Sequence, residues 1–130
     1  MTTAYLLDTH ALLWTLADDK RLSRSARRAI LKDEARLVVS VVSAWEIILK
    51  HQAGKLKLDV GLQDMLDVVL RGGHWSVLPI TAAHVAALAE LPALHRDPFD
   101  RLLVAQARTE GLTILTADKA IREYPVPTLW

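Results

Sequence analysis

The sequence predicts an α/β fold in which a central parallel sheet of four to five short strands is flanked by helices. Three observations predict it. Short apolar stretches alternate with helical patterns along the whole chain. The stretches "AYLL", "LVVSVV" and "LTIL" are apolar on both faces, which suits a sheet covered on both sides. Gly54, Gly61, Gly72-Gly73 and Pro92 fall between the periodic segments, where loops belong. No repeat, low-complexity tract or linker divides residues 1–130, so one domain is expected. At 130 residues it is large enough to bury well over half of its unfolded surface without staples.

The elements follow in order. Ala4 to Leu7 reads as a buried strand, and "HALLWTLA" after Asp8 and Thr9 as a helix. Ser23 is placed to cap a second helix running to about Asp33, and the β-branched "LVVSVV" reads as the second strand. Helical periodicity resumes from Ser43 to Gln52 and stops before Gly54; another helix is expected over Gly61 to Leu70. "WSVLPI" is the third strand, and Thr81 opens the helix "TAAHVAALAEL". "HRDPFDRLL" starts a long helix that runs to about Glu110 with Gly111 as its stop. "LTIL" is the fourth strand, a short helix follows Ala117, and "VPTLW" is expected to add an edge strand.

Composition narrows the function. There is no cysteine, which rules out disulfides and thiolate metal sites. Apolar runs such as Ala11 to Trp14 are too short to span a bilayer, and the Met1 end lacks a signal-peptide pattern, so a cytoplasmic, soluble protein is the expectation. Sixteen basic against 15 acidic residues leave a net charge of +1, with no bulk attraction for a polyanion. Any nucleic acid must therefore be met by local patches.

The carboxylates carry the chemistry. In a parallel α/β sheet the loops leaving the C-terminal strand ends gather on one edge, together with helix N-termini. Asp8 ends strand one, Glu46 falls in the first turn after strand two, Asp97 and Asp100 open the long helix, and Asp118 follows strand four. Each admits a structural reading. "SAWE" fits a capping box of Ser43 with Glu46; Asp97-Pro98 with Asp100 fits a capped helix start; Asp8 and Thr116 fit caps. Converged on one edge, however, these acids would raise one another's pKa or need a cation, and a hard ion such as Mg²⁺ or Mn²⁺ suits oxygen ligands.

Four segments, "LLDTHALLW", "SVVSAWEIILKHQAGKL", "HRDPFDRLLVAQA" and "LTILTAD", occur in this order along essentially the whole chain. In them the sequence resembles the PIN-domain ribonucleases, and more closely the VapC-type toxins of bacterial toxin–antitoxin pairs. The resemblance implies an acidic quartet of Asp8, Glu46, Asp100 and Asp118 holding one or two Mg²⁺ or Mn²⁺ ions. These would orient water for in-line attack on an RNA phosphodiester, giving 5′-phosphate and 3′-hydroxyl ends. Asp8, Asp100 and Asp118 are the expected metal contacts. Glu46 is expected to ligate directly, through water, or to accept a proton. It also implies a cognate antitoxin and a homodimer.

Around the quartet, Thr9 and Thr116 are candidates to orient the carboxylates or to cap helices, and Asp97 is read as a cap. Arg96 and Arg101 flank the acidic turn and are candidate RNA contacts; Lys20, Arg21, Arg24, Arg27 and Arg28 form a second basic cluster, equally readable as a solvated face. His10 reads as a packed or surface histidine, and no histidine pair has zinc spacing. Trp14 and Trp45 read as core or partner packing. With 52% hydrophobic residues, helices such as "HALLWTLA" and "SAWEIILK" have little polar face, which suits an apolar groove for an antitoxin segment or a buried helix pair. Two other classes compete with the enzyme: a phospho-acceptor receiver-like module, which lacks an acid pair before the first helix here, and an inactive PIN-like module that binds RNA or antitoxin without cutting.

Overall fold

Five strands and seven helices alternate in the computed structural model, which describes residues 3–32 and 35–130. In chain order they are β1 (Ala4–Leu7), α1 (Thr9–Ala17), α2 (Arg24–Leu31), β2 (Arg36–Ser40), α3 (Val41–Gln52), α4 (Leu62–Arg71) and β3 (Ser76–Leu78). Then come α5 (Ala82–Ala87), a 3₁₀ turn (Leu88–Glu90), α6 (Pro98–Glu110), β4 (Thr113–Leu115), α7 (Lys119–Arg122) and β5 (Thr128–Leu129). All pairings are parallel, and the order across the sheet is β3-β2-β1-β4-β5.

Register divides the core in two. Leu6 lies level with Val38 on one side and Ile114 on the other, and this row packs against Leu102, Leu103 and Val104 of α6. The next residues along, Leu7 with Val39 and Leu115, point to the opposite face and meet Ala11, Leu12, Ala29, Ile47 and Val69 from α1 to α4. Strands apolar on both faces are thus satisfied by helices on both faces. Helix α3 contributes to each half, with Val42 in the first and Ala44 and Ile47 in the second.

Caps fix the helix starts. Asp8, Ser23, Thr81, Asp97 and Asp118 each accept from a backbone N–H of the turn they open, and Gly111, at φ 70°, ends α6 with its N–H on the Ala107 carbonyl. The end expected for α2 at Asp33 lies outside the described residues. The second strand and third helix differ from the sequence reading. β2 stops at Ser40, Val41 and Val42 are already helical, and the cap is Ser40, whose Oγ accepts from the Val42 N–H at 3.0 Å. Burial of Val42 against the α6 core outweighs its β propensity. The third strand and the helix after Thr81 are also shorter than their sequence patterns.

Candidate active site

The turns after β1 and β4, the body of α3 and the first turn of α6 meet at one edge of the sheet. A cavity of about 60 Å³ opens there, lined by Asp8, Thr9, His10, Glu46, Lys50, Asp97, Asp100 and Asp118. All four acids of the expected quartet are brought together, with Asp97 and Thr9 beside them.

Each acid is held differently. Asp8 is almost fully buried and its Oδ1 accepts from the Ala11 N–H at 2.7 Å. Glu46, equally buried, is not in a capping box: it stands in the second turn of α3, because Ser40 and not Ser43 caps the helix. Its Oε1 accepts from Thr9 Oγ1 at 2.5 Å, and its Oε2 is in contact with the Lys50 ammonium, one turn further along the same helix face. A threonine hydroxyl has one proton, so the Ser43 hydroxyl 3.0 Å away is the donor to Thr9. Asp97 caps α6 through Oδ1, which accepts from Phe99 N–H at 2.9 Å and Asp100 N–H at 3.1 Å. The Asp100 carboxylate is left to face the cavity. Asp118 is exposed and caps α7; Thr116 Oγ1 accepts the Asp118 N–H at 3.0 Å.

The electrostatics are unbalanced. Burial pushes Asp100 up to about 8, with Asp97, Asp118, Glu46 and Asp8 adding to the shift. Burial also raises Asp8, against the opposing pull of the Thr116 hydroxyl and the Ala11 amide. Partial burial draws the Lys50 ammonium down, but Glu46, Asp97 and Asp100 outweigh it and leave its pKa above the ordinary lysine value. Five carboxylates share one lysine. An all-oxygen donor set with surplus negative charge fits a hard divalent cation. As arranged, no three acidic or histidine side chains among the described residues form a closed metal-ligand set, and both oxygens of Glu46 are engaged by Thr9 and Lys50.

The PIN domain family matches residues 5–127. This chain belongs to the PIN-domain family. A curated relative, Ribonuclease VapC22 of Mycobacterium tuberculosis, is 30% identical over 132 residues, covering 98% of this chain and 99% of that protein. Among solved structures, VapBC2 of Rickettsia felis bound to a promoter DNA fragment aligns with a TM-score of 0.70 at 18% identity, covering 98% of each chain. A toxin–antitoxin complex from Klebsiella pneumoniae aligns at 0.65 and 14% identity over 97% of this chain and 96% of that one. Both similarities show the PIN fold.

Two expected contacts lie outside the cavity of this PIN domain. Arg96 is exposed but does not line it. Arg101 turns away, its Nη1 donating to the Pro92 carbonyl at 2.9 Å and to the Tyr124 hydroxyl at 3.1 Å. Adjacent in sequence to Asp100, it points about 100° around the helix. Lys50 and Ser43 are what the sequence reading missed. The signal for Lys50 was its four-residue spacing from Glu46; Ser43 carried none once it was taken as a cap.

Proposed function

We propose that this PIN domain, spanning residues 1–130 as one domain, is a Mg²⁺- or Mn²⁺-dependent endoribonuclease and the toxin of a toxin–antitoxin pair. The observation that carries this reading is the convergence of Asp8, Glu46, Asp100 and Asp118 on one cavity whose carboxylates outnumber its cations. The identity with Ribonuclease VapC22 supports RNA as the substrate, and the likeness to VapBC complexes supports an antitoxin partner. A cytoplasmic location accords with both. Among the described residues no helix is long and apolar enough to cross a membrane.

Asp8, Asp100 and Asp118, with Glu46, are the residues that would hold one or two divalent ions. When bound, such an ion supplies Lewis acidity to the phosphoryl oxygen and lowers the pKa of water. The chain's own groups do the rest. The Ala11 amide presets Asp8, the Asp97 cap fixes the turn that presents Asp100, and Thr116 braces both Asp8 and the turn of Asp118. Thr9 holds Glu46 where its carboxylate can take the proton of the attacking water. Departure of the 3′-oxygen leaves a 5′-phosphate and a 3′-hydroxyl. Arg96, exposed and adjacent in sequence to Asp97, is the residue offered to the RNA backbone, whereas Arg101 positions the loop before α6.

A groove of about 370 Å³, lined by Leu13, Trp14, Leu56, Leu58 and Met65 and sharing His10 with the acidic cavity, supports docking of an amphipathic antitoxin segment. Exposed Trp45 and Leu49 on α3 support a homodimer contact.

The test is cleavage of end-labelled RNA by metal-stripped protein. Expected is no cutting until Mg²⁺ or Mn²⁺ is added, and cutting weaker by about a hundredfold or more in Asp8→Asn or Asp100→Asn chains whose circular dichroism is unchanged. Cutting that survives chelation overturns the metal mechanism; RNA or antitoxin binding without cutting identifies an inactive binding module.

A further inference from the structure

Lys50 is the one lysine or arginine lining the acidic cavity among the described residues. Its ammonium is in contact with Glu46 Oε2 while Thr9 holds Oε1 at 2.5 Å, so both oxygens of a nearly inaccessible carboxylate are engaged by the chain's own donors. Asp97 and Asp100 act on the same ammonium. This is not an exposed i,i+4 pair of small consequence: the Glu46 side chain is only 4% accessible, and the pair has entered the site. The lysine side chain is 33% accessible, so its flexible four-carbon stem has a route outward.

We propose that Lys50 is a tethered counter-cation, which occupies the acidic pocket of the metal-free chain and withdraws from Glu46 when a divalent ion enters. This rests on the metal-site reading above and deepens it, because it makes Lys50 a determinant of metal affinity. The physical reason is exclusion of like charge. An oxygen that accepts from an ammonium cannot also face a second cation without the two positive charges repelling in a partly desolvated cavity. Without Lys50, the metal-free pocket would hold five carboxylates with no lysine or arginine among them, so the ammonium also steadies the fold before metal arrives. Lysine suits this role better than arginine, whose planar fork would grip a carboxylate with two parallel bonds and release it less readily.

Two measurements on the full chain test it. Wild-type protein, stripped of metal, is treated with an amine-acylating reagent and the modification at each lysine is quantified by mass spectrometry. Lys55 and Lys57 are exposed and serve as internal references. Lys50 is expected to react about fivefold more slowly than they do, and saturating Mg²⁺ is expected to bring it toward their rate without changing theirs. Mn²⁺ affinity is then followed by water-proton relaxation. Lys50→Met is expected to bind about tenfold tighter than wild type, and Lys50→Arg no tighter.

Labelling of Lys50 at the reference rate before metal, or unchanged by it, overturns the inference. So does one measurable Mn²⁺ affinity shared by wild type and Lys50→Met; where wild type binds Mn²⁺, either result leaves the metal site standing. No Mn²⁺ binding by either chain overturns the metal reading itself, and the inference with it. The labelling arm uses only the native sequence, so it decides even where Lys50→Met does not fold.

Discussion

Two buried polar clusters lie at opposite ends of α6, and they differ in one respect that separates a working site from a structural one. At the C-terminal end, Gln106 and His84 are wholly inaccessible, yet every group is matched. Ser40 Oγ donates to Gln106 Oε1 at 2.5 Å; Gln106 Nε2 donates to the Pro79 carbonyl at 3.2 Å and lies 3.3 Å from His84 Nδ1. That nitrogen also accepts the Thr81 N–H at 3.0 Å, so the ring carries its proton on Nε2, 3.1 Å from Glu110 Oε2. At the N-terminal end, Asp8, Glu46, Asp97, Asp100 and Asp118 face one another around Lys50. Burial alone does not mark function; burial with unmatched charge does.

The sharpest way to break this contrast is to remove charge from one cluster and hydrogen bonds from the other. Asp8→Asn keeps a good helix cap and nearly the same shape, so the chain is expected to fold while RNA cleavage falls about a hundredfold or more. Parallel Mn²⁺ titration should show weakened binding. His84→Leu does the reverse. It strands the Thr81 N–H and one Gln106 donor, and is expected to cost about 2 kcal/mol of stability in urea unfolding with Mn²⁺ affinity unchanged. Equal loss of metal binding in both variants would abolish the distinction between the clusters. Thr9→Val sits between these extremes. It removes the hydroxyl that holds Glu46 without touching charge, and is expected to lower cleavage about tenfold, measured alongside a thermal melt near that of wild type.

How much of this was legible in the sequence depended on whether the deciding force was local. Asp8, Ser23, Thr81 and Asp97 cap helices where their spacing placed them, because a cap needs only a side chain and the next two or three amides. The parallel sheet followed from strands apolar on both faces. The start of α3 was misread because "SAWE" satisfies the capping-box pattern and Val41 and Val42 favour strands; the choice of Ser40 as cap is made by Val42 packing on the α6 core, which no local pattern encodes. Asp8 and Asp118 follow β1 and β4, so naming those strand ends placed them, whereas Glu46 and Asp100 are brought to the same edge by the body of α3 and the first turn of α6. Lys50 escaped because an i,i+4 ion pair usually decorates a surface, and only the burial of Glu46 makes it part of a site. Arg101 was drawn in by its neighbour in sequence, but helix phase turns it toward Pro92 and Tyr124.

The contrast also predicts a pH dependence, the smallest effect but the one that isolates charge from shape. Asp100 titrates near 8 in the folded chain against an ordinary value of 3.8. Below about pH 4 the group is protonated folded and unfolded, and it does not affect stability. As pH rises from there toward 8 the unfolded chain releases the proton first, so the folded state is progressively disfavoured; above 8 the penalty is complete. Asp8, raised in the same direction, adds to the slope. Metal-stripped wild type is therefore expected to melt at a lower temperature at pH 8 than at pH 5, with a shallower decline for Asp100→Asn, whose amide carries no charge at either pH. His84→Leu should melt lower at both pH values, because it strands the Thr81 N–H and a Gln106 donor while leaving the five cavity carboxylates in place. Saturating Mg²⁺ should lift the melting temperature of wild type most at pH 8, where the acids it would compensate are charged. A slope that survives in Asp100→Asn at full size would place the surplus charge elsewhere in the molecule and remove the physical basis for separating the two ends of α6.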